Sequence, residues 1–194
     1  MNIFTKYLLR LFTLFIITTI IWGVFFGLTM TIHTGETGTT DFVMRIIVGI
    51  VWGGISSFIF TLIIGTWDYL ARRRLLKRYG HLSYGVIHKR EIFLSGTIEE
   101  MMDRSISVLR MIKGMKKILP DYTSNKIIGI RRVTWIHIGQ KIELRLATED
   151  KGKIRISIIS RSRLGDPILD FGDNFELVEL FYSRITATQN NRKV

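Results

Sequence analysis

Residues 46–67 read IIVGIVWGGISSFIFTLIIGTW, and residues 11–32 read LFTLFIITTIIWGVFFGLTMTI; neither run contains a charged side chain. At 1.5 Å rise per residue, a helix of either length is about 33 Å long and can cross a hydrocarbon core of about 30 Å. The rival for the first run is a cleaved signal peptide, which needs a shorter apolar region and a small-x-small site. Trp22, Phe25, Phe26 and Met30 stand where that site would fall, so the segment is expected to be retained. The expected organisation is a two-helix transmembrane hairpin over residues 1–70, a basic juxtamembrane neck over 71–82, an α+β domain with an antiparallel sheet over 83–188, and a polar tail over 189–194.

Flanking charge sets the expected orientation, because Lys and Arg near a span resist translocation. Lys6 and Arg10 precede the first run, while Arg72, Arg73, Arg74, Lys77 and Arg78 follow the second. The connecting residues 33–41 hold Glu36 and Asp41 but no Lys or Arg, and only Arg45 opposes the bias. Both termini are therefore placed in the cytoplasm of a multi-pass plasma-membrane protein, with Tyr7, Trp67 and Tyr69 suited to the inner aromatic belt. The chain carries 28 Lys plus Arg against 16 Asp plus Glu, net +12. From Ala71 onward there are 25 basic and 13 acidic residues, so that part alone accounts for the whole +12. Such an excess beside a membrane implies attraction to anionic inner-leaflet lipids, worth about 1 kcal/mol per basic residue near the surface. The absence of cysteine excludes disulfides, thiolate metal sites and cysteine nucleophiles.

Small residues recur at every fourth position of both runs: Thr19, Gly23, Gly27 and Thr31 in the first, and Gly49, Gly53, Ser57, Thr61 and Gly65 in the second. Small side chains let helix backbones approach closely in lipid, where apolar bulk alone gives no advantage to association. The stripes either meet each other within one hairpin or join copies into a homo-oligomer. No ionisable residue interrupts either run, which argues against an ion or proton pathway. Ser56, Ser57, Thr61 and Thr66 leave an oligomeric pore open as an alternative.

Beyond the neck, which Gly80 should end as a C-terminal cap, residues 84–94 read as a strand. Thr97-Ile98-Glu99-Glu100 is a capping-box pattern opening a helix expected to reach Lys117, with Ile98, Met102, Leu109 and Ile112 as its apolar face. Period-two alternation marks strands at 142–146 and 154–158, joined through a loop in which Gly152 takes positive φ, and an earlier strand is expected over 127–138. Asp173 opens a last helix that docks Phe175, Val178, Phe181 and Ile185, with Asp173 itself as the cap. The expected order is β-α-β-β-β-α.

Ser162-Arg163-Leu164-Gly165, then Asp170-Phe171-Gly172-Asp173-Asn174, then Val178-Glu179 resembles the end of a widespread family of small bacterial and plastid domains of unknown function. The resemblance covers residues 94–185 and implies the fold; a short insertion at residues 166–169 departs from the pattern. It lends no activity.

No catalytic constellation accompanies these motifs. Asp170-Phe171-Gly172 spells a kinase metal-binding tripeptide without the glycine-rich or His-Arg-Asp loops that give it meaning. His81, His88 and His137 lack metal-ligand spacing. Neither a metal nor a cofactor is implied. Arg161, Arg163 and Asp170 form the best remaining cluster: Arg163 is expected to pair with Asp170, or Arg161 and Arg163 bind an anion with help from Arg131 and Arg132. Trp135 alone is too few aromatics for RNA stacking, so nucleic acid is disfavoured. The sequence thus points to a non-enzymatic membrane-anchored binding module, its partner being anionic lipid or another membrane protein. The alternative is an oligomeric ligand-gated pore.

Overall fold

The computed structural model describes residues 3–34, 39–81, 85–132, 139–149, 152–163 and 170–190, and divides into two compact units, Met1–Ala71 and Arg72–Val194. Two long apolar helices come first: α1 (Ile3–Thr34) and α2 (Thr39–Tyr79), the latter contributing its end from Arg72 to the second unit. The segments Tyr7–Thr29 and Val43–Tyr79 are both long and apolar enough to cross a membrane.

Within the first unit the two small-residue stripes face each other. A methyl group at Gly53 would lie 2.6 Å from Gly23 N and 2.8 Å from its Cα, and one at Gly49 would lie 2.9 Å from Gly23 O. Gly65 sits against Leu11. Partner numbers fall on α2 as they rise on α1, so the helices run antiparallel at backbone contact. Side-chain absence, not hydrophobic attraction, permits that approach. Gly49, Gly53 and Ser57 are buried in it, whereas Gly27 has open space where a side chain would go. The hydroxyls of Thr13, Thr18, Thr19 and Thr29 donate to carbonyls four residues back, which removes their polar cost in an apolar helix.

The second unit is built on a five-stranded antiparallel sheet. In chain order its elements are β1 (His88–Ser95), α3 (Ile98–Met111), β2 (Met115–Asp121), β3 (Lys126–Arg131), β4 (Gln140–Glu149), β5 (Lys153–Ser162) and α4 (Asp173–Asn190). The spatial order is β1-β5-β4-β3-β2. Ile92, Leu94, Ile142, Leu144, Ile156 and Ile158 point from the strands into one core with Met102, Leu109, Leu177 and Phe181 of the two helices. The capping box is formed as expected, with Thr97 Oγ1 accepting from Glu100 N at 3.2 Å.

One strand more is present than the sequence suggested. The helix expected to reach Lys117 stops at Met111: Ile112 is extended, Gly114 takes φ +86, and Met115 N donates to Ile112 O. A left-handed residue there turns the chain back, and residues 115–121 pair with β3 instead of continuing the helix. Pro120 is tolerated because β2 is an edge strand. The order is therefore β-α-β-β-β-β-α. β3 ends at Arg131, and residues 133–138, with Trp135 and His137, lie outside the described residues. So do 164–169, where the insertion falls. The last helix runs to Asn190, into the expected tail. Gly80 (φ +74) caps α2 through its N–H to Leu76 O at 2.9 Å, and Gly152 (φ +68) turns into β5, as expected.

Candidate functional site

Of the five cations assigned to the neck, one is not a surface group. Arg72 is 1% exposed and its Nη2 donates to Asp170 Oδ1 at 2.8 Å. This corrects two expectations: Arg72 is removed from the headgroup-facing set, and Asp170 pairs with Arg72 rather than Arg163. The physical reason is helical period. Arg72, Leu75 and Tyr79 lie three and seven residues apart, hence on one face, and that face is the covered one. Arg73, Arg74, Lys77 and Arg78 are exposed, Arg78 reaching Glu176 Oε1 at 3.2 Å.

The Asp170 carboxylate also caps amides at the start of α4. It accepts from Gly172 N at 3.1 Å, Asn174 N at 3.4 Å and Asn174 Nδ2 at 3.2 Å. Asn174 in turn donates to Val86 O at 2.6 Å and accepts from Ser160 Oγ at 2.7 Å. Gly172, at φ +77, leaves no room for a side chain, since a methyl group would lie 2.5 Å from Leu75 Cδ1. Asp170 and Asn174 of the Asp-Phe-Gly-Asp-Asn run thus tie the start of α4 to Val86, to β5 and to the end of α2.

Arg161 and Arg163 stand elsewhere. Both helices cover one sheet face, and alternate residues of the strands form the opposite face. The register places Lys117 beside Ile130, Ile130 beside Lys141, and Lys141 beside Arg161, one row from β2 to β5. Arg161 and Arg163 are exposed, and neither side chain has a partner among the described residues; Arg163 N–H donates to Gly139 O at 3.2 Å. Arg131 does not join them. It falls on the core-facing parity and donates to Lys113 O and Gln140 Oε1 at 3.2 and 3.1 Å. Arg132 N–H holds Gly114 O, and its side chain is exposed.

No protein-family model, no curated protein and no solved structure matches the chain.

One row along, Glu143 collects cations. Lys126 Nζ lies 3.1 Å and Arg145 Nη2 2.8 Å from its Oε1, with Lys141 Nζ 3.9 Å from Oε2. Partial burial pushes the Glu143 carboxyl up, but hydrogen bonds from Arg145 and Lys126 outweigh it, and the net shift is downward. Glu143 therefore stays ionised and is shared by Lys126 and Arg145. Among the described residues the row of Lys117 and Arg161 has no such acid.

Sequence spacing missed a third feature. Glu179, 3% exposed on α4, pairs with Arg90 through Oε2, while its Oε1 faces His81 Nε2 at 3.4 Å and His88 Nε2 at 3.6 Å. His81 Nδ1 lies 3.0 Å from Tyr79 O, and the Arg90 guanidinium stacks 3.4 Å from the Tyr182 ring centroid. Burial lowers the His88 pKa below 6.5, and the adjacent Glu179 opposes the shift without reversing it. Rings of Tyr79, His81 and His88 meet Phe175 edge-on. Val178-Glu179 was legible as a motif; that the two histidines converge on it was not. Among the described residues no group of three or more acids and histidines is placed to hold a metal ion.

Proposed function

We propose that the chain is a non-enzymatic, membrane-anchored binding module, with α1 and α2 crossing the plasma membrane as a hairpin and the basic α+β domain held at the cytoplasmic leaflet. The observation that carries this reading is the outer surface of the helix pair. Among the described residues between Leu8 and Leu70, twenty-seven large apolar side chains are exposed there, among them Phe12, Ile20, Leu28, Ile50, Phe58 and Trp67. At roughly 1 kcal/mol for each half-exposed group, leaving them in water would cost more than a folded domain's whole net stability of about 5–15 kcal/mol. A bilayer removes that cost.

Arg73, Arg74 and Lys77, exposed on the helix that continues the second span, supply about 3 kcal/mol of attraction to anionic headgroups. They also set the orientation through the bias of flanking positive charge. The pore alternative lacks comparable support: Gly49, Gly53 and Ser57, the small residues it would need between copies, are already buried against α1 of the same chain.

Reporter fusions test the topology. A reporter after Val194 should be cytoplasmic and one at Gly38 external, and Arg73→Glu/Arg74→Glu/Lys77→Glu should shift a fraction of molecules to the inverted state. A reporter after Val194 found outside in the unaltered chain refutes the orientation, and complete extraction of the chain by alkaline carbonate refutes the spans.

A further inference from the structure

The open face of the sheet carries a charge arrangement that the membrane anchor does not explain. Lys141 and Arg161 are direct cross-strand partners, so their side chains leave the same face with Cβ atoms about 5 Å apart. Like charges directly opposite one another destabilise a sheet. The other basic pair directly opposed across strands among the described residues, Lys126 and Arg145, shares an acid, Glu143. Arg161 has none among the described residues, and Arg163 two residues on is likewise exposed without a side-chain partner. Glu143 does not neutralise the pair. Its Oε1 is held by Lys126 and Arg145, and Lys141 stands 3.9 Å from Oε2, beyond hydrogen-bond distance.

We propose that Lys141, Arg161 and Arg163 form a binding site for a phosphate group on the open sheet face. A guanidinium offers two parallel N–H donors that match two phosphate oxygens, and an ammonium on the neighbouring strand can reach a third. The anion takes the place of an acid that the described residues do not supply and turns a repulsive cross-strand pair into a bridged one. Lys117, two strands beyond Lys141 in the same row, lies roughly 10 Å away at the usual strand spacing, which is too far for one phosphate but within reach of a second anionic group on a longer ligand. The ligand chemistry is therefore a terminal phosphate, whether on a lipid headgroup or on a soluble phosphate ester. This goes beyond the anchor reading and does not depend on it, because a soluble phosphate would occupy the site with no lipid contact.

The test follows the reactivity of the Lys141 amine by acetylation and mass spectrometry in the full chain. The chain is reconstituted in nanodiscs of neutral phosphatidylcholine, with and without inorganic pyrophosphate, and in nanodiscs containing phosphatidic acid. Lys89, on the same face but beside Ile159 at the other edge, is the internal reference. Acetylation of Lys141 relative to Lys89 should slow roughly tenfold, the weight of one charge-assisted contact. Slowing by pyrophosphate in neutral discs assigns a soluble phosphate, and slowing by phosphatidic acid alone assigns the headgroup. In either case Arg161→Gln, a change on an exposed side chain, should abolish the protection. Unchanged Lys141 reactivity in every condition overturns the proposal, as does protection that persists in Arg161→Gln.

Discussion

Arg72→Met should release the start of α4 from the rest of the second unit. The Arg72 and Asp170 side chains are 2% and 3% exposed and meet at 2.8 Å. Removing the guanidinium leaves a buried carboxylate whose remaining contacts are the Gly172 and Asn174 amides and the Asn174 side chain. Breaking a buried pair from one side costs about 3–5 kcal/mol, because the surviving charge is left uncompensated. Hydrogen exchange reads the effect locally. With tenfold in rate for each 1.4 kcal/mol, amides of residues 172–178 should exchange roughly a hundredfold to a few thousandfold faster. The double variant Arg72→Met/Asp170→Asn removes both charges but keeps an acceptor at only one of the two oxygen positions used by Gly172 N and by Asn174, so part of the protection should return. Exchange within threefold of the unaltered chain in Arg72→Met would show that the pair adds nothing, and the cap reading of Asp170 would have to stand on its backbone bonds alone.

The helix pair is asymmetric in what it tolerates. Gly53→Ala places a methyl 2.6 Å from Gly23 backbone, whereas Gly23→Ala meets nothing closer than Gly49 O at 3.6 Å; forced unfolding in bicelles should show a loss of about 1–3 kcal/mol for the first and little for the second. Stability of the second unit should depend on pH through His88, whose folded pKa lies below the 6.5 of the free side chain. The unfolded chain then binds the extra proton, so stability is complete above 6.5 and declines as pH falls through it; pulse proteolysis should show the decline, and His88→Gln should flatten it. Glu143→Gln removes the acid shared by Lys126 and Arg145, and the variant should be rescued by salt in a thermal melt while the unaltered chain changes little.

The spans were legible because their signal is compositional: uncharged runs of spanning length need no long-range information. Strands β4 and β5 were legible because alternation at Ile142, Leu144, Leu146 and at Ile154, Ile156, Ile158 is read residue by residue, and the register confirms both sets on the core face. β2 was lost for the opposite reason. Residues 115–121 show no alternation, two lysines continue the polarity of α3, and Pro120 looked like a terminator. Only Gly114 marked the change of direction, and one glycine is a weak stop signal unless its φ is known.

Long-range pairing was the part that the sequence withheld. Arg72 and Asp170 are 98 positions apart, and Arg90 and Glu179 are 89 apart. Arg72 stood in a run of three arginines that composition assigns to the surface, yet helical period separates the three by 100° steps, so one face of the run can be buried while the other two residues remain in solvent. The opposite held for Arg161: its exposure, and the lack of an acid against it among the described residues, could be assigned only when the register put Lys141, not a carboxylate, on the adjacent strand. A count of net charge treats these two arginines alike. Their surroundings differ: the Arg72 guanidinium is covered and paired with Asp170, whereas Arg161 is exposed beside Lys141 with no acid against it among the described residues.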